Sequence, residues 1–365
     1  MPRAALTRRS AAFALSFLLL TGRFSHAAEP DRFDALVEAE SAKQRVPGVA
    51  VAVVRGGEAL KLQGYGLANV EHQVPVKAGT IFQSGSVGKQ FTAVTVMLQV
   101  EEGKLALDDP LTRFYPDAPP GWSRITIRNL LNHTSGIADY GSADVDYRRD
   151  YGDDAFARVA FGLKLEFPPG TRFSYSNTGY ALLGFIVRKV SGRFYGDVLA
   201  ERVFTPLGMK TARVIGEADI VPNRAAGYEL VEDQLKNQDW VSPQLNTMAD
   251  GSLYLSLLDM VAWDRGLRAK AVLKPESWQQ IFTPATLRDG TRTKYGFGWR
   301  LSEQGGQKVE RHAGAWQGFK TEIARFLGSD LTVIVLCNLA QAEPARFTDA
   351  LAALVDPSLA KPAAP

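Results

Sequence analysis

The strand-forming residues of this chain are divided between its two ends. Val49–Val54 is a strongly β-branched run, Gly56-Gly57 supplies a hairpin turn, and Ala59–Tyr65 returns as a second strand. From Lys294 the β signal resumes in Tyr295–Leu301, Lys308–His312, Phe319–Phe326 and Leu331–Asn338. Gly328-Ser-Asp330 turns the chain between the last two. Between Gly103 and about Leu287 the strand-like runs are short, and Pro, Gly and Asp punctuate helical segments. Ile127–Leu131, Asp153–Leu163, Thr178–Ser191, Ser256–Arg268 and Pro275–Phe282 have helical spacing there. Asp31–Arg45 and Pro344–Leu354 are helices at the two ends. The expected class is α/β (α+β): one antiparallel sheet built from the N- and C-terminal segments and flanked by helices. The expected boundaries are a sheet region near 28–100 and 290–360, with a mainly helical insert at 101–289.

The first 27 residues read as an export signal. Arg3, Arg8 and Arg9 precede the apolar segment Ser10–Leu20, and Ser25-His-Ala27 or His26-Ala-Ala28 offers a small-residue cleavage site. The apolar segment is too short for a comfortable membrane span. No cysteine follows it, which argues against a lipid anchor. Arg8-Arg9 leaves open a twin-arginine route. The expected mature protein is periplasmic or secreted, with residues 361–365 as a disordered tail.

Composition excludes several classes. A net charge of +3 over 365 residues, with no Lys/Arg block, offers no nucleic-acid surface. Cys337 is the single cysteine, set in an apolar run, and is expected to be a buried core thiol. The four histidines, His26, His72, His133 and His312, are dispersed, so no metal site is expected.

Chemistry concentrates in Phe82-Gln-Ser-Gly-Ser-Val-Gly-Lys-Gln-Phe91. An amphipathic apolar run follows, so Ser86 and Lys89 share one face of a helix's first turn. A serine hydroxyl needs a neighbouring base. A cleft and the positive end of a helix both disfavour a lysine's ammonium form, which suits that task. The same helix start presents unpaired N–H groups to an oxyanion. A phosphate loop is excluded by Gln83 and Gln90, which stand where glycine and Ser/Thr belong. Two further constellations lie downstream. Tyr175-Ser-Asn177 precedes a helix, and His312-Ala-Gly314 ends an expected strand. A tyrosine relays protons, an asparagine holds a carbonyl or a lysine, and glycine lets substrate backbone approach a strand.

Ser-x-x-Lys, Tyr-x-Asn and His-x-Gly in this order resemble the serine β-lactamase and penicillin-binding protein superfamily. The similarity is to the branch of class C β-lactamases, D-stereospecific peptidases and related esterases. Leu130-Leu-Asn-His-Thr-Ser-Gly136, Tyr175–Gly184, Pro206-Leu-Gly-Met209 and Tyr295-Gly-Phe-Gly-Trp299 resemble that branch, and the likeness spans almost all of the mature chain. The resemblance implies Ser86 as acylated nucleophile and Lys89 as its proton partner, with no metal or organic cofactor. It implies Tyr175 as general base and then acid, and Asn177 on substrate and Lys89. Backbone N–H groups of Ser86 and Ala315 would form the oxyanion hole beside His312 and Gly314. Ser135 has no lysine three residues on, and its stretch is expected to be a structural turn. The third motif departs from Lys-Thr-Gly: it has neither a lysine nor a hydroxyl, and Arg311 is expected on the opposite face of the strand. The implied substrate is an ester or D-amino-acid-type amide. A β-lactam, a cell-wall D-Ala-D-Ala peptide, and a non-hydrolytic binding or sensor role stand as alternatives.

Overall fold

The computed structural model describes residues 31–142, 145–216, 218–251 and 253–361. The export signal and residues 362–365 of the tail lie outside the described residues.

Helix α1 (Arg32–Gln44) starts where the Asp31 carboxylate accepts from the Phe33 and Asp34 N–H groups, and stops at Arg45 in a left-handed conformation. Strands β1 (Gly48–Arg55), β2 (Glu58–Asn69) and β3 (Val74–Pro75) follow, then the short β4 (Ile81–Gln83). A 3-10 turn, Gly85–Gly88, runs directly into α2 (Lys89–Glu101). The insert holds α3 (Ile127–Leu131), α4 (Asp153–Phe161), α5 (Asn177–Ser191), α6 (Tyr195–Leu199) and α7 (Thr205–Leu207). It continues with β5 (Tyr228–Val231), β6 (Gln234–Asn237), β7 (Tyr254–Ser256), α8 (Leu257–Arg268) and α9 (Pro275–Ile281). Strands β8 (Arg300–Gln304), β9 (Gln307–Trp316), β10 (Phe319–Phe326) and β11 (Leu331–Cys337), with α10 (Pro344–Val355), complete the chain.

The two ends form one antiparallel seven-stranded sheet, in the order β3-β2-β1-β11-β10-β9-β8. The central pair β1–β11 is buried on both faces, which explains its unbroken apolar sequence. Val49, Val51, Val53, Val333, Val335 and Cys337 pack with Phe33 and Val37 of α1 and Phe347 and Leu351 of α10. Ala50, Ala52, Ile334 and Leu336 face the other way, into a core shared with Phe91 of α2 and Trp263 of α8. Each fully buried valine contributes roughly 1.5–3 kcal/mol. Cys337 is fully buried, and burial pushes its thiol pKa upward.

Three expectations need correction. Tyr295–Trp299 is not strand; β8 begins at Arg300. β9 does not end at the His312 motif but runs on to Trp316. In the insert, where only helices are expected by name, Tyr228–Val231 and Gln234–Asn237 pair as the β5–β6 hairpin. A further pair escaped sequence reasoning. β4 and β7 pair at Ile81↔Ser256 and Gln83↔Tyr254, tying the approach to Ser86 to the entry of α8.

Candidate active site

From Thr80 to Gln99 every residue is buried except Ser86, which is half-exposed. The turn carrying it is squeezed between β9 and the segment at 250–251. Gly85 has φ +50°, and a Cβ on it would lie 2.4 Å from Ala315 N. A Cβ on Gly314 would lie 2.0 Å from Ser84 O. Side chains at these two positions would force strand and turn apart. Thr321 Oγ1 of β10 donates to Ser84 O at 2.6 Å and holds the turn on the sheet. β8 pairs with β9 only as far as Arg311, so residues 312–316 have a free edge beside the turn. The backbone nitrogen of Ala315 thus lies against the turn that presents Ser86.

Lys89 is fully buried in the first position of α2. Its Nζ donates to Ser86 Oγ at 3.1 Å and to Asn177 Oδ1 at 2.7 Å. The backbone carbonyl of Asp250 is its third acceptor. Nζ also sits 5.0 Å from the ring centroid of Tyr175 and 5.4 Å from that of Tyr180, within cation–π range. The structure therefore brings Ser86, Lys89, Asn177 and Tyr175 together from the 3-10 turn before α2, α2 itself, α5 and the strap before α5. Ser86 lies in that 3-10 turn and not, as expected, in the first turn of the helix. Tyr175 Oη is buried and has no hydrogen-bond partner among the described residues.

His312 is buried rather than exposed on its strand. Its Nδ1 lies 2.7 Å from Ala313 O, which can only accept, so Nδ1 carries the proton. Nε2 then accepts from Tyr295 OH at 2.8 Å. Burial, and after it Lys89, pushes the His312 pKa down to about 3. The ring is a neutral wall of the site with both nitrogens engaged. Arg311 faces the other side, where it pairs with Glu322 at 3.0 Å and with Asp349 of α10 at 3.1 Å.

Sequence reasoning missed three contributors. Asp250 anchors Lys89 through its backbone, and a carbonyl oxygen leaves no side-chain signature. His133 brackets Tyr175: its carbonyl accepts from Ser174 N at 3.0 Å and its Nδ1 accepts from Ser176 N at 3.2 Å. Its ring lies 4.2 Å from that of Tyr175. Arg300 is exposed, with its guanidinium carbon 5.8 Å from the Tyr175 ring centroid. A basic residue directly after the Tyr295–Trp299 segment was the available signal. Ser135 is buried, and its Oγ accepts from Ile137 N at 3.2 Å inside its own turn.

The fold is that of the serine β-lactamase-fold hydrolases. The chain belongs to the Beta-lactamase family, whose model matches residues 33–356. It is 30% identical over 325 residues to a penicillin-binding protein of Bacillus subtilis (strain 168), covering 83% of this chain and 70% of that one. It is 31% identical over 334 residues to the D-aminopeptidase of Gluconobacter oxydans (strain 621H), covering 88% of this chain and 61% of the relative. Among solved structures, the D-amino acid amidase from Ochrobactrum anthropi SV3, complexed with L-phenylalanine amide, superposes with a TM-score of 0.77 at 25% identity. That match covers 89% of this chain and 96% of the amidase. Among the described residues no helix is long and apolar enough to cross a membrane, and no cluster suited to a metal ion occurs.

Proposed function

We propose that this chain is an exported serine hydrolase that cleaves esters or D-amino-acid-type amides through an acyl-enzyme on Ser86. The observation that carries the reading is Ser86 itself. It is the one residue of an otherwise buried stretch that reaches the surface, with a buried lysine nitrogen 3.1 Å from its hydroxyl. Similarity to a D-aminopeptidase and to a D-amino acid amidase supports the substrate class. The charged start and apolar run of residues 1–27 support export.

In this mechanism Lys89 acts as the free amine, with its two N–H groups on Asn177 and the Asp250 carbonyl and its lone pair toward the Ser86 hydroxyl. Ser86 Oγ attacks the substrate carbonyl carbon while its proton passes to Nζ. The N–H groups of Ser86 and Ala315 receive the oxyanion. The bond to the leaving group breaks, and the leaving group takes a proton from Tyr175 Oη, which Lys89 restores. Water then attacks the acyl carbon by the reverse proton path and frees Ser86. Asn177 keeps Lys89 oriented throughout. The ring faces of Tyr175 and Tyr180 stabilise the ammonium that appears on Lys89.

Neutral substrates suit the third motif. His312 supplies no positive charge and Ala313 no hydroxyl, so an anionic group there lacks hydrogen bonds that contribute roughly 1.5–3 kcal/mol each. p-Nitrophenyl butyrate is expected to give a higher kcat/KM than nitrocefin. A ratio below one would show that the substrate carboxylate is read elsewhere. Arg300 favours a second reading of that kind, a carboxypeptidase of cell-wall peptides with the guanidinium on the C-terminal carboxylate. Under it, Arg300→Ala would raise the KM of a D-Ala-D-Ala peptide and spare that of the ester. A non-hydrolytic binding protein would turn over neither substrate and would resist fluorophosphonate labelling.

A further inference from the structure

The turn 138–142 reaches both groups that hold Lys89 from behind. Asp139 Oδ2 accepts from Asn177 N at 2.5 Å and so caps α5 in place of Ser176, whose side chain makes no capping bond. This fixes the start of the helix whose first side chain meets Nζ. The next residue, Tyr140, donates its hydroxyl to Asp250 Oδ2 at 2.7 Å. Asp250 is the residue whose backbone carbonyl meets Nζ. Two consecutive side chains of one turn therefore secure two anchors of the lysine, 38 and 110 positions further along the chain. The turn itself is firm. Tyr140 is buried, its ring 5.3 Å from Phe156 and 6.3 Å from Tyr147.

The side chain of Asp250 calls for a reason. Any residue would offer the same backbone carbonyl, and a buried carboxylate is costly unless it has partners. The groups facing it are Lys89 from α2, Asp139 and Tyr140 from the turn, Tyr147 from the following loop and Tyr195 from α6. Lys89 is the only cation among them. Burial raises the Asp250 pKa, and Lys89 and then Tyr140 oppose that rise.

We propose that Tyr140 and Asp250 are a positioning pair for Lys89. The Tyr140 hydroxyl keeps the Asp250 carbonyl on Nζ, and the Asp250 carboxylate places a buried negative charge behind the ammonium formed when Ser86 gives up its proton. The inference rests on the reading of Lys89 as the acceptor of that proton.

The test compares wild type, Tyr140→Phe, Asp250→Asn and Lys89→Ala. Active sites are titrated with a fluorophosphonate, kcat and KM are measured on p-nitrophenyl butyrate from pH 4 to 9, and thermal melts are recorded. Tyr140→Phe is expected to lower kcat per titrated site about 10-fold with KM unchanged, because misplacement of a reacting group is read in the rate. Asp250→Asn is expected to lower kcat and to move the acidic limb of kcat/KM down by about one pH unit. The carboxylate and Lys89 interact as opposite charges, so loss of the carboxylate is read in the pH profile. A merely structural pair would lower Tm and leave kcat per titrated site and the pH profile within about twofold of wild type, and that result overturns the proposal. Should the asparagine variant fail to fold, Tyr140→Phe, which removes one oxygen, carries the test alone. Wild-type turnover by Lys89→Ala would instead refute the reading of Lys89, and the pair with it. Loss of turnover there, beside wild-type behaviour in the other two variants, overturns the pair only.

Discussion

Tyr175 keeps a hydroxyl that is buried and unpartnered among the described residues. Such a group costs free energy in the resting fold and is a common mark of a catalytic role. If it donates to the leaving group, Tyr175→Phe should lower kcat by about 10²–10⁴-fold. The same change removes an unsatisfied polar atom, so Tm should hold or rise. Full activity in the variant would assign the proton path to Lys89 alone. His312 offers a second measurement. Its pKa lies near 3 in the fold, against ~6.5 for an unfolded histidine. Between those values the unfolded chain binds a proton that the native chain does not. Stability is therefore fully present above about pH 6.5 and is lost as pH falls, by roughly 1.4 kcal/mol per unit for such a histidine. His133, lowered by burial first and by Lys89 next, acts in the same direction. Asp250, Glu310 and Glu322, all raised by burial, act in the opposite one. The slope must therefore be compared between proteins. Urea unfolding at pH 7, 6 and 5 should show a shallower loss in His312→Asn than in wild type. Equal slopes would contradict a neutral, buried His312.

Among the elements, β9 matters most, because its free edge meets the turn of Ser86. Gly314→Ala puts a Cβ 2.0 Å from Ser84 O and 2.3 Å from Thr321 Oγ1, so strand and turn must separate. A displacement of that size should cost about 10²-fold in kcat/KM, with a lower Tm. Wild-type kcat/KM in this variant would mean that β9 does not set the position of Ser86. Elements with strong periodicity were legible in the sequence: α3 and β10 have the bounds that the apolar spacing gives. Tyr295–Trp299 misled because Tyr295, Phe297 and Trp299 alternate as a strand's buried face does. Here the alternation comes from packing, with pairing confined to the isolated bridge Tyr295↔Arg300, and Gly298 at φ +75° breaks the extended backbone. The β5–β6 hairpin was hidden for the opposite reason. Its turn uses Glu232 and Asp233, both at positive φ, where a glycine would have signalled it.

Across the whole molecule, the sheet is closed by strands from both chain ends, and the insert returns over the Ser86 turn through the β4–β7 pair. The candidate site forms only when these distant segments meet. The residues that meet at the candidate site, Ser86, Lys89, Tyr175 and Asn177, could be singled out from motif and order. The groups that hold them could not. Asp250 contributes a carbonyl, and Asp139 caps a helix 38 positions away. His133 sits in a stretch that reads as a turn, and it does adopt φ +58° there. The proposed acyl-enzyme is where fold and site converge, and intact-mass spectrometry with peptide mapping after reaction with a slowly hydrolysed ester tests it directly. One acyl group should appear per chain, on the peptide that contains Ser86, and should be absent from Ser86→Ala. Turnover without an adduct, or an adduct on Ser135, would contradict the assignment of Ser86 as nucleophile.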